Sequence, residues 1–283
     1  MTTRCTLTLW SHSANASGKK CVSRAENFPT PGFPPVGNSA RKQAMSCPPS
    51  ILCLSATALL LASCARHSAG RDEWGHRPGP KGFSTVILDA GHGGSDPGAT
   101  SRHTGQCEKD LTLDMARRIR SELGTGFRTI LMRSDDSFID LDDRVARANR
   151  HGDAILVSIH FNSGPSNIRG PETYYWRVDS HGLAVRIQRA MTAASPTEQG
   201  NRGLVRRRLR LTRNPQIPCI LLEGGYLSHA SESRLIANPA HRRKLAAAIA
   251  QAIRTQAAIG DSGTGPLPRP IYAPPSRPSD QPE

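Results

Sequence analysis

A chain of 283 residues with 37% apolar and 21% charged residues can build one sizeable folded domain and has little length left for a second. The formal charge of +14 suits an anionic partner. Of the seven cysteines only Cys107 and Cys219 fall in the part expected to fold, which excludes a disulfide-framed scaffold.

Residues 1–44 are rich in Ser, Pro, Gly and Asn, show no sustained period, and are expected to be unstructured. The apolar run Ile51 to Ala62 is short for a bilayer span but long enough for the core of a signal peptide. It leads into Leu61-Ala62-Ser63-Cys64, which resembles the bacterial lipobox. That resemblance implies a lipid on Cys64, cleavage before it, and a membrane-anchored protein facing the periplasm. Ala65, in place of an aspartate, tilts the expectation toward the outer membrane. Arg41 and Lys42 stand just before the apolar core, so the translation start is expected nearer Val36 or Met45.

The first 64 residues hold six basic and one acidic residue, which leaves 31 against 22, or +9, for the rest. Arg202, Arg206, Arg207, Arg208, Arg210 and Arg213 concentrate that charge. Nucleic acid would satisfy only the charge, and no nucleic-acid partner is expected. An exported lipoprotein meets anionic wall and lipid head groups, and a merely solvated basic face explains the cluster equally well.

Residues 65–81 read as a linker, 82–259 as the domain, and the Pro-rich 260–283 as a disordered tail. Within the domain, Thr85 to Leu88 is a buried strand entering the glycine turn at Gly91, Gly93 and Gly94. Glu108 to Leu123 carries Leu111, Met115, Ile119 and Leu123 on one helical stripe and ends at Gly124. Arg128 to Met132 is a second strand, Leu141 to Arg150 a polar helix with Val145 and Ala148 inward, and Ala154 to Phe161 a central strand. Glu172 to Arg177 reads as an edge strand and His181 to Ala194 as a helix. Leu204 to Leu211 and Pro218 to Leu222 read as strands, and Ser231 to Ala237 and His241 to Ala258 as closing helices. The alternation of strands and helices predicts a three-layer α/β sandwich.

Functional groups in open α/β sheets gather where strands end. His92 follows the first strand, Glu108 opens the first helix, His160 ends the third strand, and Glu223 ends "CILLE". Singly, each has a structural explanation; a glutamate in a first helical turn, for instance, simply favours the helix dipole. Together, two imidazoles and a carboxylate form the ligand set of many catalytic zinc sites, with a fourth position open. A further carboxylate off the metal, for which Glu223 is suited, would move the protons. Cys107 is left out, because neighbouring residues rarely face one metal.

The blocks "ILDAGHGGSDPGA", "EKDLTLDMARRIRSEL", "MRSDDSFIDLDDRVARANRHGDAILVSIHFNS", "ETYY" and "ILLEGGYLSHASESRLIANP" occur in that order and resemble the catalytic domain of the zinc-dependent N-acetylmuramoyl-L-alanine amidases, the amidase-3 family. The resemblance spans about Ser84 to Ala258. It implies a mostly parallel or mixed sheet of about six strands flanked by helices. It also implies hydrolysis of the amide between the lactyl group of N-acetylmuramic acid and L-alanine of peptidoglycan, His92, Glu108 and His160 as zinc ligands, and Glu223 as the catalytic glutamate. This chain departs from the family at Ala90, Phe161, Gly224 and Tyr226, of which Phe161 and Tyr226 are expected to shape the cleft. Between Arg177 and Asn201 there is room for one ordinary helix and not for a long blocking insertion, so no activator is expected to be required. A zinc peptidase acting on the stem peptide and a non-catalytic wall-binding lipoprotein are the competing readings.

Overall fold

The computed structural model describes residues 77–269. The apolar run, Cys64 and residues 270–283 lie outside the described residues. Six strands, β1 (Thr85–Ala90), β2 (Arg128–Leu131), β3 (Ala154–Asn162), β4 (Glu172–Tyr175), β5 (Gly203–Arg206) and β6 (Cys219–Tyr226), form one sheet. The helices are α1 (Glu108–Leu123), α2 (Leu141–Ala148), α3 (His181–Ala194), α4 (Arg210–Arg213), α5 (Ala230–Ala237) and α6 (Pro239–Ile259). The strand order is β2-β1-β3-β6-β4-β5, with β4 antiparallel to β6 and the other neighbours parallel. This is the mixed, helix-flanked sheet that the sequence led us to expect.

Strand side chains alternate between faces, and the two faces differ. Val86, Leu88 and Ala90 of β1, Ile155, Val157 and Ile159 of β3, and Ile220 and Leu222 of β6 join the large apolar cluster supplied by α1, α3 and α6. The other face carries Ile87, Leu156 and Cys219, packed with Met132, Ile139, Ala148, Leu211 and Ile217 beneath the short α2 and α4. Further along the strands this second face turns polar, carrying Asp89, Ser158, His160 and Glu223. Two short helices therefore seal only the start of the strands, and the carboxyl ends are left for chemistry.

Three local expectations need correction. The segment "ETYY" is an inner strand, not an edge, because β5 pairs beyond it. Leu204 to Leu211 is not one strand. It breaks after Arg206 so that Leu211 can turn into the second apolar cluster, and the Thr212 hydroxyl accepts from Leu209 N at 3.0 Å to close the new turn. β6 runs past Leu222 to Tyr226, which puts Glu223 inside the strand.

The start of the expected disordered tail is tied down. Asp261 accepts from Gly79 N at 2.6 Å and from Gln256 Nε2 at 2.9 Å, and Arg186 of α3 donates to the carbonyls of Gly260 and Ser262. A side chain at Gly182 would overlap the Asp261 carboxylate, so α3 and this strap fit each other closely. Asp261→Ala is expected to lower stability by about 1–2 kcal/mol, the cost of an orphaned amide and lost hydrogen bonds. Urea denaturation measures it, and an unchanged midpoint would show that the strap is ornamental.

Candidate metal centre and active site

The site begins where β1 ends. His92 has φ 60°, in the left-handed region that side-chain-bearing residues rarely adopt. Two buried arginines hold it there through the backbone. Arg133 donates to the carbonyls of Ala90 at 3.0 Å and Gly91 at 2.9 Å, and Arg144 donates to those of Ala90 at 2.9 Å and His92 at 2.8 Å. Glycine is required at two points. A Cβ on Gly91 would stand only 2.2 Å from His160 Cε1, and one on Gly98 would stand 2.6 Å from His92 Cδ2 and 2.7 Å from Glu108 Oε2. His92 Nδ1 pairs with Asp96 Oδ2 at 2.7 Å, which leaves Nε2 for Glu108 Oε1 at 3.0 Å.

Glu108 opens α1 and is 3% exposed. Its Oε2 accepts from Ala99 N at 2.9 Å, and its Oε1 accepts from Phe161 N at 3.1 Å and meets His160 Nδ1 at 2.9 Å. The carboxylate is therefore fixed from both sides, which a residue serving only the helix dipole would not need. The structure brings the expected triad together: ligand-capable atoms of His92, Glu108 and His160 all lie within 4.8 Å of one another. Its electrostatics favour positive charge. Burial opposes protonation of His92, but the carboxylates of Asp96 and Glu108 outweigh it and raise the pKa to about 9. Burial would likewise raise Glu108, yet the two imidazoles hold it far below the usual carboxylate range. Two imidazole nitrogens converging on one immobilised carboxylate oxygen, with glycines keeping the space clear, fit a divalent cation of the zinc type. Asp96 would then be the outer carboxylate that orients the His92 imidazole.

Glu223 stands opposite His160 in the β3–β6 register. Its Oε2 is buried and has no hydrogen-bond partner among the described residues. Burial and the nearby carboxylates Glu108 and Glu172 push its pKa well above the ordinary value. Glu172 is opposite Glu223 on β4, 5% exposed, and its Oε2 accepts from Tyr174 at 3.0 Å and Tyr226 at 2.9 Å. Asn162 Nδ2 adds a bond to the Tyr226 hydroxyl at 3.2 Å.

Of the two departures expected to shape the cleft, Phe161 does not: it is 1% exposed inside the larger apolar cluster. A Cβ on Gly224 would meet its ring at 2.7 Å, so the phenylalanine fits only beside a glycine there. Tyr226 does reach the acidic network. Sequence reasoning missed Asp96, Arg133, Arg144 and Glu172. The only advance signals were an aspartate four residues after His92 and an arginine on the inner stripe of α2. Cys219 is a buried free thiol with its pKa pushed by burial to about 12, so it does not pair with Cys107.

Residues 86–255 match the family model described as N-acetylmuramoyl-L-alanine amidase. Among curated proteins, the uncharacterized protein YqiI of Bacillus subtilis is 33% identical over 207 residues, covering 71% of this chain and 94% of its own. The probable cell wall amidase LytH of Staphylococcus epidermidis is 33% identical over 173 residues, covering 60% of this chain and 57% of its own, so the match spans little more than half of that relative. The crystal structure of an N-acetylmuramoyl-L-alanine amidase from Clostridium difficile superposes with a TM-score of 0.58 at 32% identity, over 62% of this chain and 97% of that one. With a family match across most of the described domain, and with a sheet order and converging side chains that agree with it, this chain belongs to the N-acetylmuramoyl-L-alanine amidase family.

Proposed function

We propose that this protein hydrolyses the amide between the lactyl group of N-acetylmuramic acid and L-alanine in peptidoglycan, with zinc held by His92, Glu108 and His160 and with Glu223 as the proton carrier. The observation that carries this reading is the buried Glu223 oxygen, unpartnered among the described residues, beside a converging His-Glu-His set. When bound there, zinc supplies Lewis acidity toward the scissile carbonyl and toward water. Glu223 accepts a proton from the attacking water. Its raised pKa suits it to hold that proton until the alanine nitrogen leaves with it. Asp96 holds the His92 ring, and Ala99 N and Phe161 N hold the Glu108 carboxylate.

Digestion of purified sacculi, with mass analysis of the fragments, tests the reading. The expected products are a free lactyl carboxylate on the glycan and a peptide beginning with L-alanine. A chelator should abolish both, and added zinc should restore them. A new terminus inside the stem peptide would establish the peptidase instead, and no product at all would favour a wall-binding role. Between Arg177 and Asn201 the chain forms α3 and short turns, and α3 packs against α6 and β4. Cleavage is accordingly expected without an added activator. We propose, on the sequence alone, that lipidation at Cys64 anchors the enzyme in the cell envelope with the domain facing the wall.

A further inference from the structure

The arginine stretch from Arg202 to Arg213 is a charge feature that the metal centre does not use. Most of it is spoken for within the fold. Arg208, Arg210 and Arg213 have interaction partners, and Arg206 lies over the rings of Tyr175 and Trp176 and donates to the Trp176 carbonyl at 3.0 Å. Arg202 differs from them. Its guanidinium carbon lies 5.6 Å from the Tyr226 ring centroid, and its Nε is 3.7 Å from Glu172 Oε2, too far for a hydrogen bond. The side chain is 39% exposed and donates no hydrogen bond among the described residues. Glu172 holds the guanidinium as an ion-pair partner at this distance while its Oε2 accepts from two tyrosines.

The sheet register fixes where this cation stands. His160, Glu223, Glu172 and Gly203 are successive partners across β3, β6, β4 and β5. Adjacent strands are about 4.8 Å apart, so Arg202, next to Gly203 and leaning on Glu172, is roughly 5–10 Å to the side of the proton carrier. A peptide leaving Glu223 in extended form covers about 7 Å in two residues. A planar fork of unused donors, set on an aromatic face and half in water, is suited to a carboxylate at that distance.

We propose that Arg202 is a specificity residue that binds the free carboxylate of the second amino acid of the substrate's peptide, with Tyr226 and Glu172 holding the guanidinium in place. This inference rests on the amidase reading above. The test uses two substrates that differ in one group, N-acetylmuramoyl-L-alanyl-D-glutamic acid and its α-carboxamide, with kcat and KM recorded separately for wild type, Arg202→Met and Arg202→Lys. Wild type should favour the acid by about tenfold to a hundredfold in kcat/KM, chiefly through KM, as a charge-assisted hydrogen bond allows. Arg202→Met should lose that preference while falling only about threefold on the carboxamide. Arg202→Lys, which keeps the charge but not the fork, should be intermediate and serves if the methionine variant does not fold. Equal handling of the two substrates by wild type, or an equal loss on both in the variants, overturns the inference and leaves the amidase reading intact. A wild-type protein that cuts neither substrate overturns both.

Discussion

Glu223→Gln is expected to leave the protein folded and able to bind one zinc ion per chain while kcat falls about a thousandfold, within the range that a positioned acid/base contributes. The reason lies in how little else Glu223 does. It is an inner-strand carboxylate with an oxygen that has no partner among the described residues, crowded by Glu108 and Glu172. Replacing it with a neutral isostere removes a buried acid from beside two others, so the melting temperature should hold or rise. His160→Ala should behave in the opposite way. It removes a ring set against Glu108 at 2.9 Å and should lose the metal, with activity falling as a consequence. Metal content after desalting, read beside turnover on sacculi, separates the two variants. A Glu223→Gln protein working within tenfold of wild type would end the assignment, and a His160→Ala protein that keeps a full equivalent of zinc would end the ligand assignment.

Arg144→Met should destabilise the domain by about 3–5 kcal/mol, because it leaves a buried carboxylate without its counter-ion. Asp89 is fully buried in β1, bonded to Arg144 and to the Ser158 hydroxyl at 2.8 Å. Arg144 also donates to the carbonyls of Ile139, Ala90 and His92, so its loss frees the turn that keeps His92 in its left-handed conformation. Zinc affinity should therefore fall together with stability. The double variant Asp89→Asn, Arg144→Met should recover part of the stability, since the uncompensated charge is gone, but should not restore zinc affinity, since the carbonyls remain unheld. Urea denaturation of the single and double variants, with zinc titration, checks this. A single-variant cost below about 1 kcal/mol would mean that the pair is dispensable, as an exposed pair would be.

The helices were the most legible elements. Glu108–Leu123 and His181–Ala194 lie where the sequence puts them, because each has a continuous apolar stripe with a terminator at its end, Gly124 in one and Ser195-Pro196 in the other. The strand β5 and helix α4 were not legible. "LVRRRLRL" keeps a β-like alternation through Leu211, and only the cluster around Ile217 and Cys219 explains why the chain turns after Arg206. The inner position of β4 was equally hidden, since "ETYY" does not say whether a strand will pair on one side or both.

By itself the sequence determined the family and the α/β class, and it singled out His92, Glu108, His160 and Glu223 as the candidate polar residues. These follow from local order: an apolar strand, a glycine turn, a ligand-type residue at the strand end. The tertiary structure alone decided their support and surroundings. The burial of Arg133 and Arg144 under the His92 turn, the coupling of Phe161 to Gly224, and the lateral row from His160 to Arg202 all depend on register between segments distant in the chain. Periodicity reports which side of its own element a residue occupies. It carries no information about which strand lies alongside, and in this protein the lateral neighbour determines which carboxylate is crowded and which arginine is left with donors to spare.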